Sequence, residues 1–163
     1  MPTRIPLTRG TFATVDDADA DLVSAFKWHA TSTRGLWYAR REIGGRAQMM
    51  HSLLVNSPLV DHVNGNGLDN RRSNLRPATP AQNMQNRMRF RTARSQFKGL
   101  LWCHRDGRWR ARITVIGKRI DLGRFSDERD AALAYDMAAR QHFGEFAALN
   151  FPRGPGERSA LSR

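Results

Sequence analysis

The sequence predicts an α+β chain built from two small units and a basic connector. In the first half, short strand-like apolar runs alternate with short helical stretches. From Gln96 the pattern changes to three strands followed by one helix. Between them, residues 86–95 place an arginine at nearly every second position and offer little that could form a core. The chain of 163 residues is long enough to bury a core in one domain or two small ones.

Charge narrows the class of partner. There are 27 Lys+Arg against 15 Asp+Glu, a net charge of +12, and most of the cations are arginine. An anionic polymer is the natural partner, and arginine forks onto phosphates and guanine edges better than lysine does. Residues 1–60 hold seven basic and five acidic residues, 61–95 seven and two, and 96–163 thirteen and eight. Positive charge is therefore densest in the middle. The single cysteine, Cys103, excludes an internal disulfide and a cysteine-based zinc cluster. No apolar run reaches membrane-spanning length and no signal-peptide core opens the chain, so a reducing, cytoplasmic setting is expected.

In chain order, Ile5 to Val15 reads as strand, turn at Gly10, strand. Asp16 or Asp17 is expected to cap a helix through about Trp28, burying Leu22, Val23, Phe26 and Trp28. The aspartates Asp16, Asp17, Asp19 and Asp21 lack the glycine and terminal glutamate of a calcium loop and suit a helix N-terminus. Residues 37–41 and 47–51 flank Gly44-Gly45 as a hairpin. His51 opens a short apolar stretch and reads as a packed or hydrogen-bonded histidine.

The chemistry-bearing stretch is 59–76. Asp61 and His62 stand together at the end of an apolar run, followed by a loop with two glycines and several asparagines. Asp and Asn oxygens suit hard divalent cations, and His is the side chain best placed to move a proton near neutral pH. Residues 74–78 form a return strand. Thr79-Pro80-Ala81-Gln82 then starts a helix, with the threonine hydroxyl, a proline in the first turn and a glutamine completing a capping box. That helix carries Asn83, Asn86 and Arg87, and the loop is long enough to bring Asn83 close to Asp61. Asp69, Asn64, Asn66 and Asn74 compete as ligands; hydrogen bonding within the loop is the plainer role for Asp69.

In the second half, residues 99–104, 108–115 and 119–125 are expected strands, with turns at Asp106-Gly107 and Gly117-Lys118. Along the second, Trp109, Ala111, Ile113 and Val115 point one way and Arg108, Arg110, Arg112 and Thr114 the other. Ser126 or Asp127 caps a helix through about Phe143, closed by Gly144, whose alanine-rich face allows close approach to the sheet. A sheet with one face on a helix and arginines along the other resembles a groove-reading surface.

Two family resemblances follow from these residues. His51, Asp61-His62, Asn64-Gly65-Asn66, Leu68-Asp69-Asn70, Asn74-Leu75 and Pro80 to Asn83 resemble the HNH homing endonucleases of phages and bacterial mobile elements. Lys98-Gly99, residues 109–113, 122–125, 131–136 and 149–152 resemble the plant ethylene-response-factor DNA-binding domain. Leu101 and Cys103, which share the arginine face by alternation, depart from the polar residues usual in that family.

The first resemblance implies a ββα-metal (His-Me finger) HNH nuclease domain in residues 1–87. The second implies a three-stranded antiparallel sheet packed on one helix in 96–152, after a linker at 88–95 and before a frayed tail at 153–163. The HNH resemblance further implies that Asp61 and Asn83 hold one divalent cation, Mg²⁺ with Mn²⁺ as an alternative, and that His62 is the general base. Asn70 would orient the imidazole, and Arg76 would reach the scissile phosphate. Double-stranded DNA would be contacted by Arg87, Arg89, Arg91 and Arg94 on the backbone, Lys98 and Arg105 on phosphates, and Arg108, Arg110, Arg112 and Arg119 on bases. The expected protein is a monomeric, site-directed, metal-dependent endonuclease of a bacterial host or phage-infected cell, nucleoid-associated, with no membrane and no obligate protein partner. The rival expectation is a non-catalytic DNA-binding regulator that keeps the nuclease fold as scaffold.

Overall fold

Alternating burial along two short strands starts the first unit. β1 (Pro2–Pro6) and β2 (Phe12–Asp16) pair antiparallel with Ile5 opposite Ala13, so Ile5, Ala13 and Val15 face the core. The computed structural model describes residues 1–33, 35–86 and 95–152. Its contacts divide the chain into Met1–Met84 and Gln85–Arg163, slightly ahead of the expected boundary after residue 87. The expected linker 88–95, apart from Ser95, and the tail 153–163 lie outside the described residues, as do Arg87, Arg89, Arg91 and Arg94.

The first helix is shorter than expected. A 3-10 turn (Asp17–Asp19) leads into α1 (Ala20–Ser24), and the chain then leaves the helical path. Trp28 explains the early end: its indole N–H donates to the Val23 carbonyl (2.8 Å), and its backbone bridges to Leu7. Val23 and Trp28 are buried as anticipated, whereas Leu22 and Phe26 stay exposed. The Arg41 guanidinium covers the Phe26 ring at 3.4 Å.

β3 (His29–Thr33), β4 (Leu36–Ile43) and β5 (Arg46–Met49) form an antiparallel sheet in that order. β3 is not anticipated, because its polar residues carry little strand signal. Gly44 and Gly45 supply the two positive φ angles (54° and 74°) of the tight turn between β4 and β5. α2 (Met50–Val55) takes His51 into a helix and ends where Asn56 adopts φ 51°. β6 (Val60–His62) pairs with β7 (Leu75–Pro77), and α3 (Pro80–Asn86) follows. The capping box is present: Thr79 N–H donates to Gln82 Oε1 (2.7 Å) and Gln82 N–H to Thr79 Oγ1 (3.2 Å). Val15, Val23, Trp28, Ala39, Met50, Leu54, Val60 and Leu75 share one core.

In the second unit β8 (Leu100–Cys103), β9 (Arg108–Val115) and β10 (Lys118–Phe125) form an antiparallel sheet with β9 in the centre. α4 (Glu128–Phe143) lies on one face, with Ala131, Ala132, Tyr135 and Ala139 against Leu100, Ala111 and Ile113. Asp127 caps it, accepting from Arg129 N–H (2.7 Å) and Asp130 N–H (3.2 Å), and Gly144 closes it. The β9–β10 turn is centred on Ile116 and Gly117, both at positive φ, one residue earlier than expected. The Asp136 carboxylate is fully buried and accepts the backbone N–H groups of Asn150 (2.7 Å) and Phe151 (2.8 Å), fastening the chain end to α4. Among the described residues no helix is long and apolar enough to cross a membrane.

Gly99 is required by both space and backbone. At φ 84° an added Cβ would meet the Tyr135 ring at 2.0 Å and the Arg112 carbonyl oxygen at 2.8 Å. Gly99→Ala is therefore expected to destabilise the C-terminal unit by about 3 kcal/mol or more. Denaturant melts of the variant should show that loss; a change below about 1 kcal/mol would contradict the close approach.

Candidate active site and nucleic-acid interface

Backbone pairing fixes the first site. In the β6–β7 hairpin Asp61 stands directly opposite Arg76, and His62 opposite Leu75. Opposed residues on one face of an antiparallel pair meet, and Arg76 donates from Nε (2.9 Å) and Nη2 (2.6 Å) to Asp61 Oδ2. The pair is largely buried. Arg76, expected at the scissile phosphate, is thus found bonded to the carboxylate expected to bind metal.

His62 lies among Asn70, His51 and Tyr38. Its Nε2 is 3.4 Å from Asn70 Oδ1. A carboxamide oxygen only accepts, so this contact is a hydrogen bond in the tautomer that carries the hydrogen on Nε2 and the lone pair on Nδ1. The His51 ring meets the His62 ring edge-on at 5.0 Å, and Tyr38 lies 5.9 Å and 6.0 Å from the two. Burial pushes the His62 pKa below its usual value, opposed by the Asn70 hydrogen bond and by Asp61 and Asp69. His51 is driven down to about 4, first by burial and then by His62, so it is neutral near pH 7. Burial, then the Asp61 charge, raises the Tyr38 phenol.

The polar loop after His62 is strapped to β2. Thr14 N–H donates to the Leu68 carbonyl (2.8 Å), and Asn70 N–H donates to the Thr14 carbonyl (2.7 Å). Asn70 is consequently fully buried. The four competing ligands are occupied within this loop. Asn64 Nδ2 donates to Asp69 Oδ2 (2.8 Å), Asn66 N–H to Asn64 Oδ1 (2.8 Å) and Leu68 N–H to Asn66 Oδ1 (3.1 Å). Asn74 accepts from Asn64 N–H (2.9 Å) and donates to the Asp69 carbonyl (2.7 Å). Arg71 donates twice to Asp69 (2.8 and 2.7 Å), holding that carboxyl below the usual carboxylate range. Arg72 grips Asp19 in the same way (2.8 and 2.7 Å). Both arginines therefore tie the loop to its own fold.

Asn83 lies on α3, where its backbone N–H bonds the Thr79 carbonyl (3.0 Å). Its Oδ1 is buried and, among the described residues, has no hydrogen-bond partner. A buried amide oxygen of that kind is costly unless something fills its coordination. Asp61 and Asn83 each carry an oxygen of the kind a hard cation accepts. Among the described residues no three His, Cys, Asp or Glu side chains gather as a metal cluster.

The sheet of the second unit carries the other candidate surface. Register places Leu101 opposite Arg110 and Cys103 opposite Arg108 on the face away from α4. Arg119 lies opposite Thr114 and Asp121 opposite Arg112 on that same face. A bulge between Asp121 and Gly123 then shifts the alternation, sending Phe125 to the core and bringing Arg124 to the open face opposite Arg110. Arg124 was not among the expected contacts, although a glycine inside a strand pattern is a bulge signal. Asp121 puts a negative charge among the arginines and accepts from Arg110 Nε (2.5 Å) and Nη2, while Asp106 pairs with Arg124. Arg105, Arg108 and Arg119 are exposed, and Arg110 and Arg112 half-buried.

Lys98 differs from its expected place at a phosphate. Within its unit its amine donates to the Gln85 carbonyl (2.8 Å) and lies 5.9 Å from the Tyr135 ring. Burial lowers its pKa to about 8. Tyr38 is the residue beside the histidines that sequence reading missed, since nothing local links a hairpin tyrosine to an Asp-His pair.

Fold and site define a class: an α+β protein with a buried carboxylate–imidazole centre in one unit and an arginine-faced sheet in the other. An uncharacterized HNH endonuclease of Acanthamoeba polyphaga mimivirus is 31% identical over 150 residues, covering 87% of this chain and 76% of that protein. The chain belongs to the HNH endonuclease family. It also carries an AP2/ERF-type segment. A rice AP2/ERF and B3 domain-containing protein is 41% identical over 68 residues, and an AP2-like ethylene-responsive transcription factor of Arabidopsis thaliana 40% over 67. The chain spans 18% and 14% of the lengths of those two plant proteins. No protein-family model matches the chain, and no solved structure matches it.

The Lys98 environment makes a pH prediction. Its folded pKa, about 8, lies below the 10.5 of the free side chain, so between those values the unfolded chain binds the extra proton. Stability of the C-terminal unit should therefore rise from pH 8 toward 10.5, by on the order of 1–3 kcal/mol. Lys98→Met should flatten that rise and stabilise the unit at pH 7. Parallel melts of both proteins between pH 7 and 10 measure this; identical pH profiles would refute a desolvated Lys98.

Proposed function

We propose that this protein is a site-directed, metal-dependent DNA endonuclease with a ββα-metal centre formed by β6, β7 and α3. The observation that carries the proposal is His62, buried, with its imidazole against Asn70 and with Asp61 beside it in β6. Asp61 and Asn83 are the oxygens that would hold one divalent cation, Mg²⁺ or Mn²⁺. Bound there, the cation would supply Lewis-acid neutralisation of charge on the scissile phosphate and leaving oxygen.

His62 takes the proton from the attacking water on Nδ1, while Asn70 keeps the hydrogen on Nε2 and fixes the ring plane. A depressed pKa keeps the imidazole neutral, the form a base requires, near pH 7. Arg76 orients the Asp61 carboxylate and adds positive charge where a phosphate would lie.

Target choice falls to the open sheet of the second unit, with Arg108, Arg110, Arg112 and Arg119 on base edges and Arg105 on phosphates. Arg124 joins this set through the bulge. Binding energy from that unit would place the scissile phosphate at a centre that makes no base contacts itself.

Two experiments test the reading. Supercoiled DNA incubated with Mg²⁺ or Mn²⁺ should be nicked or cut, EDTA should stop it, and His62→Ala should slow it by about 10²-fold or more. Asp61→Asn, which spares the Arg76 environment better than alanine, should abolish cutting while DNA affinity holds within about twofold. Binding without metal-dependent scission on any target sequenced for cut ends would favour the regulator reading. Separately, Arg110 and Arg112 changed together to alanine should blur site selection in a random-duplex pool while leaving slow non-specific cutting. Unchanged site choice would remove the sheet from the reading role.

A further inference from the structure

The reading face of the sheet is not uniformly basic. Leu101 lies on it, opposite Arg110, and is 42% exposed. Cys103 lies on it opposite Arg108. Their neighbour Trp102 turns the other way, its ring meeting Trp109 at 4.9 Å, so Leu101 and Cys103 cannot both join the core without breaking the strand's alternation. Across β9 the opposite edge of the face is polar: Asp121 holds Arg110, and Arg119 and Arg124 project beside it. The face is thus divided, with arginines along β9 and β10 and an apolar strip along β8.

A leucine can neither donate to a phosphate nor pair with a base-edge acceptor. The major-groove group it complements is the C5-methyl of a pyrimidine. We infer that Leu101, flanked by Cys103, reads a C5-methyl group in the target, that of thymine or of 5-methylcytosine. This rests on the sheet being the DNA-reading surface, as proposed above.

Geometry sets where that methyl lies. Side chains directly opposed across strands are about 5 Å apart, and successive base pairs rise about 3.4 Å. The methylated pyrimidine therefore lies one or two base pairs from the guanine met by Arg110. Removing the methyl exposes the leucine to a gap the size of one carbon and should weaken binding about threefold to fivefold.

The test uses the full chain under metal-free conditions, so that affinity is read apart from cutting. Sites are selected from a random duplex pool, and each thymine of the selected site is then replaced by deoxyuridine. Wild type should lose about threefold to fivefold at one thymine, or two adjacent ones, next to a required guanine. Leu101→Ser with Cys103→Ser, checked by circular dichroism to be folded, should lose that sensitivity, and Leu101→Val should keep it. Where selection places cytosine at the same position, C5-methylation should strengthen wild-type binding and not that of the double variant, which separates the two methyl sources. A selected site at which deoxyuridine is silent, or equally harmful in the double variant, overturns the inference and leaves the reading surface intact. A pool from which no site is selected overturns both.

Discussion

The candidate active site depends on one backbone strap, the pair of hydrogen bonds by which Thr14 in β2 holds the loop at Leu68 and Asn70. Without it, residues 63–70 are a glycine- and asparagine-rich excursion with every reason to be solvated. With it, Asn70 is fully buried and its carboxamide meets the imidazole of His62. The side chains inside the loop then bond one another, so that Asn64, Asn66, Asp69 and Asn74 serve as framework. The first hairpin, far away in sequence, therefore shapes the proposed centre through its backbone alone.

Burial created in this way has consequences of opposite sign for neighbouring groups. It lowers the proton affinity of His62 and His51, which suits a base that must be neutral, and raises that of Tyr38. The same dry surroundings would be expensive for the Asp61 carboxylate, and Arg76 offsets that expense from the position directly across the hairpin. Removing one member of such a pair costs more than the pair contributes, because the survivor is left buried and charged. Asp61 and Arg76 are best understood as one unit. The proposed role for Arg76 at phosphate would be played from that pairing, not from a solvated arginine.

Local rules made much of this readable in advance. The capping box at Thr79–Gln82, the Asp127 cap, the Gly44-Gly45 turn and the arginine alternation on β9 all follow from a few consecutive residues, and each is found. What was not legible depends on distant partners. α1 stops early because Trp28 is drawn to Leu7 and Val23; β3 forms because β4 is there to pair with its polar residues. Tyr38 meets two histidines that follow it by 13 and 24 positions. The carboxylate–imidazole pair and its asparagine were visible as a motif, but Arg76 as partner of Asp61 needed the register of β6 and β7.

The sheet proposed to read DNA has its arginines organised in advance. Arginine side chains are long and lose rotamer freedom on binding, so a face of unpaired arginines would surrender entropy at each contact. Asp121 holds Arg110 and is itself fixed by the Gly123 N–H (3.1 Å), while Asp106 holds Arg124. Both pairs are reached by solvent and therefore weak and screened by salt, strong enough to orient a guanidinium but too weak to withhold it from the guanine edge proposed as its partner. The bulge at Gly123 contributes twice, presenting the N–H that fixes Asp121 and turning Arg124 outward. On the proposed reading face the acidic residues, which at first reduce the positive potential expected of a DNA reader, would become the means by which its arginines are aimed.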